Sequence, residues 1–428
     1  MTARSRRMLR VALTVAVLAA LAAALVAWLN VRGEAPLDGA APGASKDAAV
    51  IARGEYLARV GNCAGCHTGN GGAAYGGGTG IETPFGVVFA SNLTPDPDTG
   101  IGRWSAAEFR RAMHNGRSRD GRLLYPAFPY PNYTRVTRED SDAIFAYLMS
   151  REPVRQPNAE HRLRWPYNLQ ASLAVWRALY FRPERFEADP GRTAEWNRGS
   201  YLVHGLGHCD ACHASRNRLG ATVGETELAG GLIPMRNWYA PSLAGAGEAG
   251  VAGWGTDEVV ALLKTGVSPR GSAMGPMADV VYRSTQFLSD ADAGAIAAYL
   301  KSLPAAPHAS REGTGRRAAG GAEGESGEAI YREQCAGCHG PQGEGVAGMY
   351  PPLAGNRAVV LSNPVNVVNA ILDGGFPPTT AGNPRPFGMP PFRQTLRDGD
   401  IASLATFIRQ SWGNNAAPVT AGDVARAR

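Results

Sequence analysis

The chain is short of cysteine, with six in 428 residues, and none lies outside three copies of one five-residue stretch. It is short of net charge as well. The formal +6 falls to +2 once the N-terminal Arg4, Arg6, Arg7 and Arg10 are set aside. A nearly neutral body lacks the basic stripe that a nucleic-acid partner requires. No Ser/His/Asp or Cys/His arrangement for hydrolysis is evident, and no carboxylate pair has an obvious catalytic purpose. The glycine-rich tract Gly69–Gly80 lacks the G-x-G-x-x-G spacing that opens a dinucleotide-binding βαβ unit. These absences argue against bond chemistry performed by the chain alone.

The cysteines stand in Cys63-Ala-Gly-Cys66-His67, Cys209-Asp-Ala-Cys212-His213 and Cys335-Ala-Gly-Cys338-His339. C-x-x-C-H is the attachment signature of c-type haem. Two thiols on one helical turn each add to a porphyrin vinyl group, and the following His brings its imidazole under the iron. Structural zinc is the competing use of such pairs. It would need a second Cys or His pair at ligand spacing, and none is present. Three covalently bound haem c groups are therefore expected.

Residues 1–10 are basic and Val11 to Leu29 form an apolar run of nineteen. The run exceeds the usual length of a signal-peptide core and ends in Ala27-Trp28-Leu29-Asn30, without a small-x-small cleavage site. At 1.5 Å per residue it nearly covers a bilayer core, with Trp28 at the far interface and the arginines held in the cytoplasm. An uncleaved anchor is preferred, with a cleaved signal as the alternative. Either sends the body to the periplasmic face of the bacterial inner membrane, where haem is joined to C-x-x-C-H motifs.

The expected fold class is mainly α: three tandem cytochrome c-type haem domains behind a transmembrane or signal helix. The segments are 1–32 (anchor or signal), 48–152 (first domain), 153–196 (linker with a packed helix), 197–304 (second domain), 305–325 (flexible linker) and 326–413 (third domain). A short tether, 33–47, follows the anchor, and residues after Asn415 read as a disordered tail. Each domain closes with a helix in which an Asp stands seven residues before an aromatic: Asp140 and Tyr147, Asp292 and Tyr299, Asp400 and Phe407. Two helical turns place that ring on one face, where opening and closing helices are expected to cross. This is a divergent internal repeat. Between the first two domains, Asn168–Phe181 reads as a helix too apolar for a free linker, expected to pack against a haem domain, with a partner subunit as the alternative. The flexible linker would leave the third domain loosely placed.

A c-type iron usually takes Met opposite His, which raises its potential. Met389, in Phe387-Gly-Met-Pro-Pro-Phe, is expected to ligate the third iron. Met277, in Gly275-Pro-Met, is preferred over its neighbour Met274 for the second. In the first domain the corresponding loop carries Phe128, which cannot ligate. The tentative candidate there is Met113, with His114, a five-coordinate iron or a bound water as alternatives.

The chain resembles the trihaem cytochrome c subunits of membrane-bound bacterial dehydrogenases. The resemblance rests on Gly54-Glu-Tyr-Leu-Ala-Arg, Thr83-Pro-Phe-Gly, Ser91-Asn-Leu-Thr-Pro-Asp, Gly100-Ile-Gly-Arg-Trp-Ser and Asp120-Gly-Arg-Leu-Leu-Tyr-Pro-Ala. Gly207-His-Cys-Asp-Ala-Cys-His, Gly275-Pro-Met-Ala-Asp-Val-Val, Ser284-Thr-Gln-Phe-Leu-Ser, Tyr350-Pro-Pro-Leu-Ala-Gly-Asn and Gly388-Met-Pro-Pro-Phe continue it. It implies a catalytic dehydrogenase subunit as partner, together with a small iron–sulfur subunit in some complexes, and ubiquinone or a terminal oxidase as electron acceptor. Phe128 in place of the Met many relatives carry, with Gly205-Leu-Gly-His-Cys and Ser215-Arg-Asn, points to the molybdopterin and iron–sulfur class acting on aldehydes or heterocycles. The alternative is a quinoprotein alcohol or flavin-linked sugar dehydrogenase. Membership of a terminal oxidase complex and a haem peroxidase are the readings from other classes.

Overall fold

A computed structural model describes residues 3–37, 43–222, 228–304 and 326–428. The chain forms two compact units, Met1–Glu55 with His67–Phe186, and Tyr56–Cys66 with Glu187–Arg428. The expected flexible linker, 305–325, lies outside the described residues. So do residues 38–42 of the expected tether.

Three helix pairs repeat through the chain. Opening helices Ala48–Val60, Ala194–Tyr201 and Gly327–Gln334 cross closing helices Arg138–Met149, Asp290–Lys301 and Asp398–Gln410. The closing helices start at their repeated Asp for a local reason. Thr137 and Ser289 accept the backbone N–H of Asp140 and Asp292, and the carboxylate of Asp400 accepts the N–H of Arg397. An anion in the first turn also meets the positive end of the helix dipole.

The crossing is set by glycine. A Cβ at Gly54 would lie 1.9 Å from the Ala143 carbonyl oxygen, one at Gly199 2.0 Å from that of Ala295, and one at Gly327 2.1 Å from that of Ser403. Each acceptor lies three residues after the repeated Asp and four before the repeated aromatic. The expected aromatic contact is present beside it. A Cβ at Gly54 or Gly199 would also meet the Cβ of Tyr147 or Tyr299, and the Phe407 ring packs on Tyr331. In the first two pairs the residue before the glycine is Arg, and it reaches the Asp: Arg53 to Asp140 at 2.5 Å, and Arg198 to both oxygens of Asp292 at 2.8 Å. The third pair has Ser326 there and no such bridge; its Asp400 pairs with Arg397.

Strands are few and short. Gly80–Thr83 pairs with Gly86–Phe89, which also takes Arg162–Leu163 along its other edge. Gly231–Ile233 pairs with Trp238–Ala240.

Within the second unit the third helix pair is docked on the second. Asn366, on helix Val365–Asp373, accepts the Tyr239 N–H at 2.8 Å and donates to its carbonyl at 2.7 Å, and Asn369 donates to Asn237 O at 2.6 Å. Arg357 reaches the Gly250 carbonyl. These bonds contradict the expected loose placement. Three side chains bonded to backbone groups of the second repeat fix it without help from the linker. The expected tail is folded too: Ala421–Ala427 is a helix capped by Thr420, and its Val424 is buried against the third core with Val419.

In the first unit, Ala3–Val31 is one helix, among the described residues the one long and apolar enough to cross a membrane. Its 29 residues extend about 43 Å. The expected linker helix is Gln170–Tyr180, and its inner side is bonded to the last turn of the apolar helix. Asn30 donates to Ala174 O at 2.9 Å and accepts from Arg177 Nε at 2.9 Å. Arg117 donates to Asn30 O at 2.9 Å and pairs with Glu34 at 2.6 Å.

Candidate haem attachment sites

Each C-x-x-C-H stretch ends on a short helical turn, Cys63–His67, Asp210–His213 and Ala336–His339. In all three the imidazole is oriented in the same way. His67 Nδ1 donates to the Ser91 carbonyl at 2.7 Å, His213 Nδ1 to that of Pro241 at 2.7 Å, and His339 Nδ1 to that of Pro351 at 3.0 Å. A carbonyl can only accept, so the proton sits on Nδ1 and the lone pair of Nε2 is left for a metal. This is the arrangement that fixes the tautomer and ring plane of a ligating His. Burial depresses all three imidazole pKa values, with the carbonyl bond opposing it, which favours the neutral form that binds iron.

The thiols are free of disulfides. Burial pushes Cys63 and Cys209 up to about 12 and Cys335 up to about 11. All but Cys335 nonetheless keep some exposure. Burial also raises Cys212, against the opposing charge of Arg216, and Cys66 is near enough to add to the rise. Among the described residues no three His, Cys, Asp or Glu side chains converge on a point, as a zinc site would require. The residues present fit haem c: two thiols and an oriented imidazole per site.

Met389, the ligand expected for the third iron, is held by its own backbone. Its N–H donates to Gly375 O at 2.8 Å, and its carbonyl accepts from Gly375 N at 3.0 Å. Gly374, at φ +61, makes that approach possible, since a Cβ there would lie 2.2 Å from the Met389 oxygen. Met277 lies in the first turn of helix Pro276–Arg283, behind Gly275 at φ +55. That glycine presses on the Trp238 ring, leaving no room for a side chain. The competing Met274 is engaged elsewhere, its methyl facing Gly375. Both expected ligands are part-exposed, as side chains lining a cleft are.

The first site differs. Phe128 stacks edge-on against Tyr133 at 5.4 Å. Met113 is 5% exposed, with its sulfur 4.0 Å from Ser141 Oγ on the closing helix. It stands three residues before Gly116, which ends its helix at positive φ; Leu263 and Ile371 stand likewise before Gly266 and Gly374. His114 is buried beside it with Nε2 unpaired, and burial and then Arg110 depress its pKa.

Two family models match the chain, "Cytochrome c" over residues 51–152 and "Cytochrome C oxidase, cbb3-type, subunit III" over 322–408. The cytochrome c subunit of a quinone alcohol dehydrogenase from Gluconacetobacter polyoxogenes is 42% identical over 89% of this chain and 85% of its own length. The gluconate 2-dehydrogenase cytochrome c subunit of Pantoea cypripedii is 37% identical over 89% and 90%. The chain belongs to this family of dehydrogenase cytochrome c subunits. It is an electron-transfer component of a dehydrogenase complex rather than a catalytic enzyme. A subunit of the nicotinate dehydrogenase of Pseudomonas putida is also 42% identical, over 85% of this chain but 30% of its own length. Alcohol and nicotinate relatives are thus equally similar, and identity does not choose between them.

The acceptors Ser91, Pro241 and Pro351 were not foreseen from the sequence. The signal they share is a Leu two residues on, Leu93, Leu243 and Leu353.

Proposed function

We propose that the chain carries three covalently bound haem c groups at Cys63/Cys66/His67, Cys209/Cys212/His213 and Cys335/Cys338/His339. It would relay electrons from a catalytic subunit to ubiquinone or a terminal oxidase at the periplasmic face of the bacterial inner membrane. The single observation that carries this is the threefold recurrence of an imidazole whose Nδ1 is tied to a backbone carbonyl, including the middle repeat that neither family model covers. Bound haem supplies reversible one-electron exchange. The residues of this chain hold the porphyrin, orient the imidazole and exclude water. Met277 and Met389 are the sulfur ligands in this reading.

Met113 we assign to packing, since the same helix position is filled by Leu263 and Ile371 in the other repeats. The sixth position of the first iron would then be left to His114, to water or to no ligand. Met113→Leu is expected to leave the spectrum and potential of the first haem unchanged; loss of a low-spin His/Met signal in magnetic circular dichroism contradicts the assignment.

The apolar helix is read as an uncleaved anchor, because its last turn is bonded into the body through Asn30, whose side chain accepts from Arg177 and whose carbonyl accepts from Arg117. The N-terminus of the mature protein, sequenced from purified membranes, is expected to lie before Val11. A start after Leu29 contradicts this.

The catalytic partner we favour is of the molybdopterin and iron–sulfur class, supported by Phe128 with Gly205-Leu-Gly-His-Cys and Ser215-Arg-Asn. A quinoprotein alcohol partner is the second reading, supported by an alcohol dehydrogenase cytochrome subunit that matches over 85% of its own length. Mild detergent extraction and purification through this chain tests both. A large subunit with stoichiometric molybdenum is expected. A pyrroloquinoline or flavin subunit selects the second reading, and terminal oxidase subunits overturn both.

A further inference from the structure

The linker helix Gln170–Tyr180 buries one stripe and leaves the other bare. Leu173 and Arg177, one turn apart, face inward. Val175 and Leu179, also one turn apart, are 48% and 61% exposed, and Leu169 and Tyr180 beside them are exposed as well. Just ahead of the helix, Trp165 is 78% exposed. Burying apolar side chains is favourable, so a contiguous stripe of this kind marks a surface for an apolar partner.

Its surroundings say which partner. The inward side is bonded to the last turn of the apolar helix through Asn30, Ala174 and Arg177. The apolar helix, with Trp28 exposed, therefore ends beside the linker helix. Exposed arginines flank it on both sides, Arg164 before and Arg182 after. Leu and Val on one face, Trp and Tyr at the edge and cations at the ends form the pattern of a helix lying in a membrane interface. A protein partner would not require the linker helix to adjoin a membrane helix or to be bounded by arginines.

We propose that Gln170–Tyr180 lies in the plane of the bilayer, with Val175, Leu179 and Trp165 inserted at the boundary between headgroups and acyl chains. The leaflet is the one from which the apolar helix emerges. The first unit is then held at two points and cannot swivel about a single helix. This inference rests on the anchor reading above.

The test uses full-length, haem-loaded protein in its native membranes, with the photoreactive residue p-benzoylphenylalanine placed at position 179, 25 or 160. Leu179 is exposed, so the probe does not disturb the core; position 25 reports on the anchor, and Glu160 is an exposed polar control. Mass spectrometry after irradiation is expected to find lipid adducts at 25 and 179 and none at 160. Adducts at 25 with a cross-linked polypeptide, or nothing, at 179 overturn the proposal and leave the anchor standing. Adducts at 179 but not at 25 keep the proposal and sink the anchor. No adduct at either position overturns both.

Discussion

Gly199→Ala is expected to abolish folding of the middle helix pair, with loss of the native haem environment at Cys209 and Cys212. The added methyl carbon would lie 2.0 Å from the Ala295 carbonyl oxygen, 2.6 Å from its carbon and 2.8 Å from Tyr299 Cβ. Those atoms are helix backbone or fixed to it, so the clash is relieved only by separating the two helices. Separation breaks the two hydrogen bonds that Arg198 donates to Asp292 and exposes the neighbouring core. Overpacking of side chains costs about 1–3 kcal/mol. A backbone clash belongs to the tail above about 4 kcal/mol, which rivals the whole stability of a small domain. Gly294→Ala, on the partner helix, is the control. Its Cβ would meet only Glu195 Oε1, at 3.7 Å, and Ala is the better helix former by about 1 kcal/mol. Thermal unfolding followed at the Soret band should show the first variant collapsed and the second at least as stable as the parent. Equal melting temperatures for Gly199→Ala and parent would refute the crossing geometry. The same outcome is expected for Gly54→Ala and Gly327→Ala, whose contacts are as short.

Met389→Leu should lower one of the midpoint potentials by on the order of 0.1–0.3 V, within the roughly 0.8 V that axial ligands control. Thioether sulfur favours ferrous iron, and its loss favours ferric. Leu conserves the volume, so the effect on folding stays under about 1.5 kcal/mol. The loop is pre-set by the two backbone bonds between Met389 and Gly375, so no rearrangement is expected to bring in another sulfur. Met349→Leu, at an exposed position of the same domain, should leave every potential unchanged. A spectroelectrochemical titration of the two variants decides. An unchanged potential in Met389→Leu would remove that residue from the ligand set. Paired variants Met277→Leu and Met274→Leu apply the same test to the second site, with the effect expected only in the former.

What the sequence reveals and what it hides follow one physical line. Covalent attachment is local, so C-x-x-C-H is readable outright, and the heptad from Asp to aromatic shows the repeat because helix periodicity is local too. The carbonyls that hold the three imidazoles are not readable, since any residue offers a carbonyl; Ser91 and the two prolines share nothing in their side chains. The docking of Asn366 and Asn369 on the segment around Trp238–Ala240 depends on residues more than a hundred positions apart. The C-terminal helix reads as a tail because Val419 and Val424 are too few to set a period. In sequence Asn30 is only the polar end of a hydrophobic run, and its bonds to Ala174 and Arg177 exist only in three dimensions.

The count of porphyrins tests the central claim most directly, because the middle repeat lies outside both family models. Intact mass spectrometry of the mature chain, with iron determined on the same sample, should give three covalently added haems per polypeptide and no thiol open to alkylation. Two haems, with Cys209 and Cys212 alkylated, would contradict the reading of the middle repeat and break the relay at its second site.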